Sequence, residues 1–156
     1  MKTINDWLSE YGESHQNPTN KKVHFVCVPL IFFSVVALLY SIPFRFPLAG
    51  TGLTLNVASI VAVLIAIYYF TLSKSLSVGM ALFSLLCLYV CHIIYNSGIA
   101  PLWAVAVTVF VLAWMVQFWG HNIEGKKPSF LKDLQFLMIG PAWIMSFLYK
   151  KIGLSI

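Results

Sequence analysis

Charge is scarce in this chain. Ten basic and five acidic side chains are spread over 156 residues, 10% of the total, against roughly 25% in soluble proteins. So few charges cannot cover the surface of a water-soluble globule. Disorder is excluded by the same count, because it needs low hydrophobicity and high charge. Cysteine is sparse too: Cys27, Cys87 and Cys91 all lie in apolar runs, and the odd number without a C-x-x-C pair excludes a disulfide framework and a zinc knuckle. No Gly-rich phosphate loop or dinucleotide fingerprint is present, nor a G-x-S-x-G nucleophile elbow. The net charge of +5 comes without a basic stripe interleaved with aromatics, so it does not indicate nucleic-acid binding. Lysines that flank membrane spans explain it better. The first 24 residues carry Asp6, Glu10 and Glu13 and no apolar core, unlike a signal peptide.

Apolar residues dominate instead, at 60%, with a mean hydropathy of +0.84. Four apolar runs, 24–43, 53–72, 76–95 and 100–120, each hold about 20 residues, or roughly 30 Å of helix, the thickness of a hydrocarbon core. The expected fold class is therefore an all-α polytopic membrane protein. It has four transmembrane helices, an N-terminal amphipathic helix and a C-terminal interfacial or re-entrant helical segment, in one membrane domain over 1–156. The connections between spans are short, which predicts antiparallel packing of neighbours.

At the N-terminus, Ile4, Trp7, Leu8 and Tyr11 share one face of a helix over 3–13, and Thr3 and Asp6 are spaced as a capping box. Residues 1–22 thus comprise this helix and a polar loop. Asn17-Pro18 is expected to break any helix in that loop, with Asn20 capping the first span. In 129–149, Gly140-Pro141 is expected to interrupt a helix midway. That segment reads as a kinked fifth span, a re-entrant hairpin or an interfacial helix.

Charge placement favours four spans. Nine lysines (2, 21, 22, 74, 126, 127, 132, 150 and 151) then fall on one side and Arg45 alone on the other, whereas a fifth span moves Lys150 and Lys151 across. By the positive-inside rule both termini are cytoplasmic, in an inner membrane if bacterial or the endoplasmic reticulum if eukaryotic.

This topology gathers the chemistry at one mouth. All five acids and three histidines, His15, His24 and His121, lie on the cytoplasmic side, while the mid-membrane region holds no ionisable group. That bareness argues against an ion-coupled transporter. Three imidazoles, or two with a carboxylate, suit iron, zinc or copper. Gln117 shares a helix face with His121, and Asn17, Asn20 and Tyr11 are near the other two, placed to orient ligands. Spacing alone leaves a second reading open, in which interfacial histidines snorkel to headgroups and the asparagines form turns. His92 is about 16 helical residues, or roughly 24 Å, from this mouth and cannot share its site. Trp114, Trp119, Trp143 and Tyr149 are placed like interface anchors.

One known family carries this pattern. Tyr11 with His15-x-Asn17-Pro18-x-Asn20-x3-His24-x3-Val28-Pro29, followed by Gln117-Phe118-x-Gly120-His121, Lys126-Lys127-Pro128 and Asp133-Leu134, resembles the membrane 2-hydroxy-fatty-acid dioxygenases. Fungal members of that family act at the endoplasmic reticulum in phytosphingosine breakdown. The resemblance covers nearly the whole chain. It implies Fe(II)- and O2-dependent α-oxidation, in which a 2-hydroxy fatty acid is cleaved between C1 and C2 and loses one carbon. His15, His24 and His121 would carry Fe(2+). Tyr11, Gln117 and Glu124 are catalytic candidates, and Asn17, Asn20, Lys126 and Lys127 would support ligands or attract the substrate carboxylate. Glu124 departs from the family pattern, following His121 by three residues where an acid usually follows by four. The implied partners are a long-chain 2-hydroxy fatty acid, O2 and membrane lipid. The alternative is a non-catalytic membrane protein that binds lipid or scaffolds partners through the same polar mouth.

Overall fold

A proline marks where the first long helix begins. The computed structural model describes residues 3–13, 15–50, 54–125 and 136–156. In it, α1 (Ile4–Glu13) is followed by α2 (Pro18–Ser41). The expected capping box opens α1: Thr3 N–H donates to Asp6 Oδ2 at 2.8 Å, and Asp6 N–H to Thr3 Oγ1 at 3.3 Å. At α2 the expectation is corrected. Asn17, not Asn20, is the cap, its Oδ1 accepting from the N–H groups of Thr19 at 2.8 Å and Asn20 at 3.4 Å. Pro18 occupies the first helical position, where its missing N–H leaves no bond unmade and its fixed φ suits the helix. Asn17-Pro18 therefore starts a helix instead of breaking one, and Asn20 is left to use its side chain elsewhere.

The run 53–72 is not one helix. Arg45–Pro47 (β1) pairs antiparallel with Thr54–Asn56 (β2), Arg45 opposite Asn56, in a short ribbon within a fold that is otherwise helical, as the all-α expectation has it. Asn56 then caps α3 (Val57–Leu72) in a reciprocal box with Ser59. At 16 residues, α3 is about 24 Å long, short of a roughly 30 Å hydrocarbon core. Among the described residues, three helices are long and apolar enough to cross a membrane: α2, α4 (Lys74–Ser97) and α5 (Leu102–Glu124). Their outward residues are apolar: Leu82, Leu85, Leu86, Leu112 and Met115 are all more than half exposed, as a surface solvated by lipid requires.

Pairing follows close approach rather than chain order. α3 and α4, joined by Ser73 alone, pack together as expected of neighbours, but α5 packs along α2 and barely touches α4. Gly120 permits this. A Cβ there would stand 2.6 Å from Asn20 Oδ1 and 3.0 Å from Val23 Cγ1. Small residues let membrane helices approach this closely.

Of the C-terminal run 129–149, residues 129–135 lie outside the described part. The remainder forms α6 (Ile139–Lys151), with Gly140-Pro141 in its first turn and not midway. Proline is again tolerated because the first turn needs no intrahelical donor. α6 packs on α1 and on parts of α2 and α4. Tyr149 Oη fastens it to the start of α4, donating to Ser75 O at 2.7 Å and accepting from Gly79 N–H at 3.0 Å. The Tyr69 hydroxyl donates to Met138 O just before α6 begins.

Candidate metal centre

Three elements deliver one histidine each. His15 follows the end of α1, its N–H donating to Gly12 O at 3.0 Å. His24 lies in the second turn of α2, and His121 in the last turn of α5. Antiparallel packing of α2 on α5 puts those two helix ends at one level. The ring centroids are 4.1 Å apart for His15 and His24, 4.9 Å for His24 and His121, and 5.6 Å for His15 and His121. One ligand atom from each lies within 4.8 Å of the others. Metal–nitrogen bonds of about 2 Å put two ligand atoms at most about 4 Å apart, so the rings need to draw in by roughly an ångström. Their relative exposures are 2%, 0% and 3%, far from the headgroup-seeking histidines of the alternative reading.

Backbone carbonyls orient two of the rings. His15 Nδ1 donates to Tyr11 O at 2.6 Å, and His24 Nδ1 to Asn20 O at 3.0 Å. A carbonyl can only accept, so Nδ1 carries the hydrogen and Nε2 the lone pair, the arrangement in which ligating histidines are held. His24 Nε2 is buried and has no hydrogen-bond partner among the described residues. A buried acceptor left so costs about 1–3 kcal/mol, which a metal ion at the centre of the three rings would relieve. The donor set, three neutral imidazoles, fits a divalent transition metal.

Aromatic rings wall the cluster. Tyr11 stacks on His15 at 4.3 Å with a 15° interplanar angle, and Trp143 stands 5.5 Å from His15 and 5.3 Å from Tyr11. Trp143 and Tyr149, expected as interface anchors, are buried. Because α6 starts at Gly140-Pro141, it turns both inward. A Cβ on Gly140 would meet the Tyr11 hydroxyl and Val28 Cγ1 at 3.1 Å, so α6 seats closely over α1 and α2. The sequence showed Trp143 only as an interface anchor, because its partners Tyr11 and His15 lie far away in the chain.

Glu124 has its own company. Its carboxylate accepts from Gln16 N–H at 2.8 Å, Asn17 N–H at 2.9 Å and Asn20 Nδ2 at 3.0 Å. The side chain thus ties the end of α5 to the loop before α2, where an anion also suits the positive end of that helix. Asn17 caps α2, while Asn20 gives Glu124 a donor and His24 its carbonyl. Gln117, one turn before His121, is buried, and its Oε1 has no hydrogen-bond partner among the described residues. With Tyr11, Val28, Ile31, Phe136 and Leu137 it lines a cavity of about 20 Å³. Lys126 and Lys127 lie outside the described residues. His92 sits at the other end of the bundle, with Nδ1 3.3 Å from Tyr40 Oη and Nε2 3.0 Å from Asn96 Nδ2.

The family described as 2-hydroxy-palmitic acid dioxygenase Mpo1-like matches residues 1–152. The protein named 2-hydroxy-palmitic acid dioxygenase MPO1 from Saccharomyces cerevisiae is 27% identical over 148 residues, which cover 92% of this chain and 78% of that protein. No solved structure matches. Because the family match takes in nearly the whole chain, including all three clustered histidines, the chain belongs to the Mpo1-like family.

Proposed function

We propose that this protein is an Fe(II)- and O2-dependent dioxygenase that shortens long-chain 2-hydroxy fatty acids by one carbon. The observation that carries the reading is the cluster of His15, His24 and His121, buried together, with two rings held through Nδ1 by backbone carbonyls. A bound ferrous ion would supply Lewis-acid polarisation of the substrate oxygens and a position for O2. The chain itself supplies the rest. The three imidazoles hold the metal, and Tyr11, Phe136 and Trp143 keep bulk water from it. Gln117 offers a buried amide oxygen to the 2-hydroxyl of the substrate, whose O–H can donate to it. Glu124 acts through position: it fixes Asn20, whose carbonyl fixes His24. The name of the yeast relative supports a 2-hydroxy fatty acid as substrate. A site at helix ends suits such an acid, whose polar head rests at the membrane interface. We place that interface on the cytoplasmic side, with both termini, because the lysines gather there.

The test is turnover in detergent micelles. 2-Hydroxypalmitate with Fe(II) and O2 should give a 15-carbon product, with none under argon. Palmitate without the hydroxyl should not react. Absence of product from any 2-hydroxy acid between 12 and 24 carbons, with iron bound, would overturn the reading.

A further inference from the structure

Two cavities meet at one side chain. The first lies beside the histidines, and Tyr11, Gln117, Val28, Ile31 and Leu137 are among the residues that line it. The second, of about 50 Å³, lies deeper between α2, α3 and α4, and Leu137 borders it as well. Its wall continues the same face of α2 through Phe32, Val36 and Leu39, and meets Ala58, Ala62 and Ile65 of α3. From Val28 to Leu39 that face extends about 16 Å along the helix. Apart from the Ser84 hydroxyl, the side chains lining the deeper cavity are apolar: aliphatic and aromatic, with the Met138 thioether. Space of this kind is costly in a packed interior, because its lining forfeits dispersion contacts.

We infer that the hydrocarbon tail of the substrate threads into the bundle past Leu137, its last carbons reaching the cavity between α2, α3 and α4 while the apolar walls part around the rest, with Ala58 and Ala62 setting the length it accepts. The inference rests on the reading of the substrate as a long-chain acid. It adds that the tail leaves the lipid and is measured by the protein. The chain direction fits. α2 runs away from the histidines, and α3 returns toward them, so Ala58 and Leu39 lie at the far end and Leu137 at the near end. Small side chains at 58 and 62 leave the room; larger ones would take it. In an apolar pocket one methylene of misfit is worth about tenfold or more in discrimination.

Photolabelling tests this without requiring turnover. Palmitate and 2-hydroxypalmitate, each carrying a diazirine near the ω end, are bound to the full-length protein in micelles, and labelled peptides are mapped. Labels are expected on the cavity-lining residues Val36, Leu39, Ala58, Ala62 and Ile65. Ala62→Trp and the milder Ala62→Leu should both lose those labels, lower 16-carbon turnover about tenfold or more and shift the preferred length toward 12 carbons. Leu137→Ala should widen the accepted range of lengths. Labels confined to outward residues such as Val63, Leu82 or Leu85, or an unchanged length profile in both Ala62 variants, would overturn the inference. Failure of the enzymatic reading looks different: the cavity is then labelled by palmitate, but no 2-hydroxy acid is consumed.

Discussion

Gly120 faces Asn20 so closely across the contact of α5 with α2 that a Cβ at 120 would lie 2.6 Å from Asn20 Oδ1. The contact sits between two of the three clustered histidines. Asn20 precedes His24 by one turn and presents its carbonyl to that ring, and Gly120 immediately precedes His121. The spacing of α2 from α5 thus sets the spacing of His24 from His121.

Gly120→Ala should therefore injure the site more than its size suggests. The new methyl must push the helices apart or turn Asn20 out, and overpacking of this kind costs about 1–3 kcal/mol. Because it disturbs the carbonyl that orients His24, metal affinity should also fall, by about 10–100-fold. Gly12→Ala is the contrast, since its Cβ would meet Trp143 Nε1 at an ordinary 3.5 Å. Thermal unfolding and metal titration of both variants in the same detergent check the pair. Equal behaviour would contradict the close-approach argument.

Glu124→Gln separates support from ligation. The amide keeps the size of the side chain but replaces one acceptor with a donor, so it cannot serve all of Gln16, Asn17 and Asn20. Metal affinity should drop about 10–100-fold, while binding still saturates at the wild-type stoichiometry. His24→Ala, which removes a ring from the cluster, should instead abolish binding. Isothermal titration with Fe(II) under argon distinguishes the two. A Glu124→Gln variant as empty as His24→Ala would make the carboxylate a ligand.

His92→Gln should leave metal content and turnover near wild type. The residue serves Tyr40 and Asn96 at the opposite end, and losing such bonds costs about 0.5–1.5 kcal/mol each. Metal analysis beside a denaturation curve checks this. Metal loss as complete as that of His121→Ala would break the separation of the two ends.

The C-terminal tail offers a test of orientation. Ser75 Oγ donates to Ser155 O at 2.8 Å, so the tail ends beside the start of α4, at the end of the bundle that carries Lys74, Lys150 and Lys151. In a cysteine-free background, cysteines at Ser14 and Ser155 should react only from the cytoplasmic side, and one at Ile99, which is 90% exposed, only from the other. Outside labelling of the Ser155 position would mean that the chain crosses the membrane once more after α5.

Much of this was legible before any coordinates. Period and length gave the long helices, because lipid leaves the backbone few other options. Spacing and charge put His15, His24 and His121 at one mouth and His92 at the other end. What escaped was set by partners distant in sequence. Asn17-Pro18 and Gly140-Pro141 read as helix breaks because proline signals an end as readily as a start, and only the following contacts decide. The β1–β2 ribbon is three residues a side, too short for alternation to register. Glu124 was read only by its spacing from His121, whereas its donors come from more than a hundred residues earlier.

A metal held by His15, His24 and His121 can be measured directly. The protein should be purified gently in detergent, without chelators, and its transition-metal content measured by mass spectrometry alongside thermal unfolding with added Fe(II) under argon. The expected result is one tightly held ion per chain in the wild type and none in the His15→Ala, His24→Ala or His121→Ala variants. Fe(II) should raise the unfolding temperature of the wild type alone. A wild-type protein that holds no transition metal, and that Fe(II) neither binds nor stabilises, would contradict the metal centre and leave a lipid-binding membrane protein in its place.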